Sequence, residues 1–150
     1  MINELAANFE LKDQNGNSFE LYKNPEKKLL VFYPKDNTTI CAAQLTNYSI
    51  NINLFTESNI RIVAINIGDV QSHKTFCDEL ESKFPILSDA DKTLSRQYKA
   101  LNLLGINKRK LVLINTDKRI VYEKSTPYFL FISSERIINE LKRSNIEEMT

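Results

Sequence analysis

The sequence predicts an α/β fold in which a mixed central sheet is flanked by helices and preceded by an N-terminal β-hairpin. Three observations carry this prediction. Residues 29–33 and 60–67 are apolar, partly β-branched runs of the kind found in strands covered on both faces. Between and after them lie stretches with apolar residues three or four apart, the period of an amphipathic helix. Late in the chain, two apolar runs flank the polar turn Asn115-Thr116-Asp117-Lys118, a hairpin pattern. Strands alternating with helices imply right-handed parallel crossovers, and the late hairpin adds antiparallel strands.

Taken in order, Phe9 and Leu11 alternate with polar residues, Asn15-Gly16 supplies a turn, and Phe19 and Leu21 resume the alternation. The strand at 29–33 stops at Pro34, which cannot donate to a ladder. Leu45, Tyr48, Ile52 and Phe55 predict one helix over about 41–57. The strand at 60–67 ends at Gly68-Asp69, and Ser72 is the expected cap of a helix over about 73–82 that stops near Pro85. Ile86-Leu87 reads as a short strand, and Asp89 or Asp91 opens a helix through Tyr98. Strands at 110–114 and 119–122 follow, then a final helix over about 134–143 carrying Ile137, Ile138 and Leu141. This is a thioredoxin-like arrangement, although other three-layer folds satisfy the same string.

Composition narrows the function. A chain of 150 residues with 42% hydrophobic and 26% charged residues is expected to form a single domain, 1–150, with a substantial core. Twenty basic residues against nineteen acidic ones leave a net charge of +1, so no general field favours nucleic acid or an anionic membrane. The longest apolar runs, 29–33 and 128–132, are far too short to span a bilayer. Met1-Ile2-Asn3-Glu4 has no basic region followed by an apolar segment, so a cytoplasmic location is expected, where two cysteines rest as thiols. No P-loop, Gly-x-Gly-x-x-Gly or Cys-x-x-Cys is present, and Cys41, Cys77 and His73 lack the paired spacing of zinc ligands. Neither a cofactor nor a metal is therefore expected.

The cysteines hold the chemistry. Cys41 follows a loop that leaves a buried strand and stands at the start of a helix. Helix N-termini offer free N–H groups and the positive end of the dipole, both of which stabilise a thiolate. A packed structural cysteine fits the same position. The preceding residues, Pro34-Lys35-Asp36-Asn37-Thr38-Thr39-Ile40-Cys41, match Pro-x-x-x-Thr-x-x-Cys, the active-site motif of the peroxiredoxins. At this point the chain resembles that family, and specifically its PrxQ or bacterioferritin comigratory protein branch. The segments Phe32-Tyr33-Pro34-Lys35-Asp36, Ser72-His73-Lys74-Thr75-Phe76, Phe84-Pro85-Ile86-Leu87-Ser88-Asp89 and Arg109 before an apolar strand recur there in the same order. The resemblance covers about residues 4–143.

That resemblance implies a thiol peroxidase acting on hydrogen peroxide and organic hydroperoxides. Cys41 attacks, Thr38 and Arg109 stabilise the departing oxygen, and Pro34 screens and shapes the site. Without the motif, Thr38 reads as a helix or turn cap, Pro34 as a strand end and Arg109 as part of a solvated loop, with Lys108 and Lys110 as surface charges. The product on Cys41 is a sulfenic acid, which a second thiol condenses to a disulfide. Many PrxQ-like proteins carry that thiol at the position occupied here by Thr46. Others resemble this chain in carrying it after Ser-His, which implies an intramolecular Cys41–Cys77 disulfide reduced by thioredoxin or a similar dithiol. Cys77 is expected just outside the apolar stripe of Phe76, Leu80 and Phe84, with a core-filling cysteine as the competing reading.

His73, the only histidine, reads as a capping or solvated residue, with help in deprotonating Cys77 as the alternative. Thr39-Ile40 and Gln44 depart from the common family pattern, Gln44 standing where an acid is frequent. An intramolecular disulfide makes a monomer the expected state, while the apolar segment 128–132 leaves a dimer open. A thioredoxin-fold disulfide reductase and a non-catalytic redox sensor are the competing functions.

Overall fold

The computed structural model describes residues 2–36 and 38–149, those from 144 onward by backbone alone. Asn37, inside the Pro-x-x-x-Thr-x-x-Cys motif, lies outside the described residues. A two-stranded hairpin, β1 (Glu10–Lys12) and β2 (Ser18–Glu20), opens the fold. Its turn is built by Asp13, whose carboxylate accepts from the backbone N–H groups of Asn15 and Asn17, and by Gly16 at φ +79. That left-handed φ is one a residue without Cβ adopts at no steric penalty.

The main sheet has strand order β5-β4-β3-β6-β7. Its strands are β3 (Lys27–Phe32), β4 (Ile60–Asn66), β5 (Ile86–Ser88), β6 (Arg109–Ile114) and β7 (Ile120–Thr126). β3 pairs in parallel with β4 and antiparallel with β6, so the predicted mixed sheet is present. Alternation along the strands splits the interior into two layers. Leu29, Val31, Tyr33, Ile62, Ala64, Leu111 and Leu113 face one, and Leu30, Phe32, Val63, Ile65, Val112 and Ile114 face the other. Arg109 is in step with Leu111 and Leu113, so it enters the layer that contains both cysteines.

The helices are α1 (Thr39–Ile50), α2 (Ile52–Glu57), α3 (Val70–Leu80), α4 (Thr93–Gln97) and α5 (Ser134–Met149). The single helix expected over 41–57 is two. Asn51 leaves helical geometry at φ −100, ψ 24, and its side chain donates to the Asn47 carbonyl, so the chain turns there. α3 begins earlier than expected, and its cap is Asp69, whose Oδ1 accepts from the Ser72 N–H at 2.7 Å. Ser72 is thus not the cap and its hydroxyl is used elsewhere. Asp89 and Asp91 both serve the start of α4. Asp89 accepts from Leu94 and Ser95 N–H, and Asp91 from Thr93 N–H. Among the described residues, no helix is long and apolar enough to cross a membrane.

Candidate active site

Cys41 lies in the first turn of α1 and is 1% exposed. β3 delivers it: the strand ends at Phe32, residues 33–36 cross the edge of the core, and the helix starts after Thr38. Thr38 has the extended backbone of an N-cap, but its side chain does not cap. Its hydroxyl donates to the Lys35 carbonyl at 3.2 Å, holding the loop closed on itself. Pro34 and Thr38 line a cleft of about 580 Å³ together with Asp36, Asn66, Gly68 and Ile106; Cys41 and Arg109 are not part of that lining.

Arg109, first residue of β6, is 2% exposed and meets Cys41 from the neighbouring strand. Its Nη1 and Nη2 each donate toward the Cys41 sulfur at 3.5 Å. Nη1 also donates to Gln44 Oε1 at 2.6 Å, and Nη2 to the Tyr128 carbonyl at 2.7 Å. Among the described residues the Nε donor is buried without a hydrogen-bond partner. Gln44 in turn donates to the Tyr48 hydroxyl, which donates to the Ile132 carbonyl at 2.7 Å. Burial pushes the Tyr48 phenol up to about 12, so it stays a neutral donor. A guanidinium therefore sits beside a helix-start sulfur, oriented by one side chain and one backbone oxygen.

A second network joins the loop to α3. Tyr33 OH donates to Asp36 Oδ1. Asp36 Oδ2 accepts from Ser72 Oγ at 2.5 Å and from His73 Nδ1 at 2.7 Å. Burial alone would raise the Asp36 carboxyl, but the hydrogen bonds from His73, Ser72 and Tyr33 outweigh it and hold it below its ordinary value. An ionised carboxylate can only accept, so the His73 proton is assigned to Nδ1. His73 is 0% exposed, with Nε2 unpartnered among the described residues; it is neither a cap nor solvated. Nearby, Asn66 donates to the carbonyls of Tyr33 and Pro34 and accepts from Gly68 N–H, fastening the loop to the end of β4.

Cys77 is on α3, 5% exposed and inside the core layer rather than at its margin. Tyr33 and Phe76, with ring centroids 6.1 Å apart, belong to the same layer. Burial pushes the Cys77 thiol up to about 12, a hydrogen bond from Ser82 opposes this, and the charges of Asp36, Asp78 and Asp13 add to the rise. Both cysteines are free thiols. Lys110, expected on the surface, is buried on the opposite face of β6, where its Nζ donates to the Tyr98 carbonyl and pairs with Glu123 at 3.1 Å.

Of the residues singled out in the sequence, the structure brings Cys41 and Arg109 into contact and sets Thr38 and Pro34 on the adjoining loop. Gln44 is marked in the sequence only as a departure from the family pattern, and Tyr48, Asp36, Asn66 and the Tyr128 carbonyl have no site role there. Asp36 stands inside the motif and Gln44 one helical turn after Cys41, but their partners lie far along the chain.

Residues 2–123 match the AhpC/TSA family. The chain belongs to this family. Among its curated relatives is a putative peroxiredoxin bcp of Helicobacter pylori, 34% identical over 100 residues that make up 66% of either chain. A peroxidoxin BcpB structure from Mycobacterium tuberculosis shares 26% identity at TM-score 0.78, covering 95% of this chain and 92% of that one. A PrxQ from Xylella fastidiosa superposes at TM-score 0.86 with 22% identity and 97% coverage of both chains, a likeness of fold. Within AhpC/TSA the chain is thus a peroxiredoxin of the bcp and PrxQ kind, with the thioredoxin-like fold expected of it.

Proposed function

We propose that this AhpC/TSA chain is a thiol-dependent peroxidase that reduces hydrogen peroxide and organic hydroperoxides. The contact of both terminal Arg109 nitrogens with the Cys41 sulfur carries this reading. Cys41 as thiolate attacks one peroxide oxygen, the O–O bond breaks, and the second oxygen leaves as water or an alcohol after taking a proton. Negative charge builds on that departing oxygen. Donors already fixed in a buried site stabilise it without the reorganisation that water would need. Arg109 supplies two such donors and Thr38 a hydroxyl once it turns from the Lys35 carbonyl to the peroxide, while Pro34 shapes the approach.

Cys41 is left as a sulfenic acid. Cys77 then attacks its sulfur, water leaves, and a Cys41–Cys77 disulfide forms, to be reduced by thioredoxin or a similar dithiol. The two thiols start on separate helices, both buried, and a disulfide demands Cα atoms within about 4.4–6.8 Å, so local unwinding of α1 or α3 accompanies this step. The reading needs no cofactor and one domain, residues 1–150. It also needs no partner subunit, so the chain acts as a monomer in the cytoplasm; exposed Tyr128, Phe129 and Leu130 are the face a dimer would use.

Peroxide consumption with a thioredoxin system tests the reading in wild type, Cys41→Ser and Cys77→Ser. Cys41→Ser is expected to abolish turnover, and Cys77→Ser to allow about one turnover without recycling by thioredoxin. Normal turnover by Cys41→Ser overturns the peroxidase. After one equivalent of peroxide the intact protein should lose two hydrogens; a lasting sulfenic acid beside a free Cys77 overturns the disulfide.

A further inference from the structure

We propose that Asp36, held by Ser72 and His73, is a latch between the attacking-cysteine loop and the helix bearing Cys77, and that its release controls how fast the Cys41 sulfenic acid is resolved. The inference rests on the Cys41–Cys77 disulfide proposed above.

α3 is eleven residues long, below the length at which an isolated helix holds in water, so what it is fastened to decides whether it stays wound. Besides the core packing of Phe76, Cys77 and Leu80, three side-chain fastenings hold its first two turns. Asp69 caps it. Phe76 packs against Tyr33. Ser72 and His73, both in its opening turns, donate to Asp36. Two of these three run to residues 33–36, the stretch that leads from β3 into Thr38 and Cys41. Displacing that stretch therefore removes two of the three side-chain fastenings of the first two turns of α3.

The Asp36 contacts are also the ones that resist it most. The paired side chains are 4% and 0% exposed, and a hydrogen bond to a buried charge is about twice as strong as a neutral one. Opening one leaves the buried carboxylate a donor short until water reaches it, with Tyr33 still bonded to the other oxygen. His73 lies one helical turn before Cys77, so the latch and the resolving thiol share a side of α3. While it is shut, Cys77 stays in the core. Ser72, His73 and Asp36 are thus positioning residues for resolution and have no role in the attack on peroxide.

The latch matters because the sulfenic acid has two fates. Cys77 can displace its oxygen as water and form the disulfide. Alternatively a second peroxide oxidises it to the sulfinic acid, the peroxide being reduced to water or an alcohol. A tighter latch lengthens the exposure to that second peroxide.

The test uses the full chain with Ser72→Ala, Ser72→Thr and His73→Gln. Each protein receives one equivalent of hydrogen peroxide, is quenched with acid and an alkylating reagent at successive times, and is weighed intact. Ser72→Ala and His73→Gln are expected to form the disulfide about tenfold faster, and Ser72→Thr to match wild type. In excess peroxide the first two should accumulate sulfinic acid more slowly by a similar factor. Their rate of first oxidation should stay within about twofold of wild type. Amide exchange should quicken over residues 70–77 and remain unchanged in β3 and β6. If His73→Gln does not fold, Ser72→Ala decides. Resolution at the wild-type rate or slower in Ser72→Ala overturns the latch and leaves the disulfide standing. So does exchange that quickens across the whole chain. A wild-type protein that keeps its sulfenic acid with Cys77 free overturns both.

Discussion

Both terminal nitrogens of the Arg109 guanidinium lie 3.5 Å from the sulfur of Cys41, joining positions 68 residues apart in the chain. The arrangement supplies positive charge and two directed donors where a departing oxygen would form. Removing one such donor in a preorganised site costs about 100- to 1000-fold in rate. Arg109→Ala should therefore slow oxidation of Cys41 by at least that factor, measured by competition for peroxide. Arg109→Lys should be nearly as slow, because a single ammonium cannot serve the sulfur, Gln44 and Tyr128 together. A lysine variant of full activity would mean that charge alone suffices.

Gln44 orients that guanidinium. In Gln44→Ala the buried Nη1 loses its 2.6 Å acceptor beside an Nε that already lacks one. The expected loss of unfolding free energy is about 1–3 kcal/mol, read by urea denaturation. Oxidation of Cys41 should slow by roughly tenfold as the guanidinium loses its anchor. Gln44→Glu keeps an acceptor for Arg109, and its oxidation rate should stay close to wild type.

Stability at high pH should report on Cys77. Burial raises its thiol in the folded state to about 12, against an ordinary value of about 8.5 in the unfolded chain. The folded protein then holds this proton more tightly, so the contribution is fully present below about pH 8.5 and is lost as pH climbs toward 12. Unfolding free energy of wild type should fall faster than that of Cys77→Ala above pH 9, by at most about 1.4 kcal/mol per pH unit. Parallel curves for the two proteins would show that Cys77 titrates as an exposed thiol.

Gly68 sits where the loop, β4 and α3 converge. A Cβ there would stand 3.0 Å from Asn66 Oδ1 and 3.2 Å from His73 Cε1. Gly68→Ala should destabilise the fold by about 1–3 kcal/mol through this crowding. Because Asn66 holds the Tyr33 and Pro34 carbonyls, the oxidation rate of Cys41 should fall several-fold as well. Thermal unfolding and peroxide competition on the same preparation check both effects.

Local signals were sufficient for most of the architecture. β3 and β4 announce themselves as apolar runs because both faces are covered, and the Asp13–Gly16 turn because its residue types suit its backbone. Where local signals competed, prediction slipped. Apolar spacing continues smoothly through Asn51, yet the Asn51 side chain claims the Asn47 carbonyl and splits the helix. Ser72 and Asp69 are both good caps. Asp69 serves because Ser72 is drawn to Asp36, and no pattern within α3 records that partner.

By itself the sequence determined the fold class, the family and which cysteine follows the Pro-x-x-x-Thr motif at a helix start, since strand composition, helix period and the Pro-x-x-x-Thr-x-x-Cys spacing are all short-range. Tertiary structure alone decided what surrounds that thiol. Arg109 reaches Cys41 because β6 pairs beside β3 and its alternation turns Arg109, not Lys110, into the cysteine layer. His73 and Cys77, which looked marginal or solvated along the helix, became core because α3 lies against the sheet and Asp36 waits beneath it. Long-range pairing sets which polar groups share a buried space, and a one-dimensional pattern carries no record of that choice.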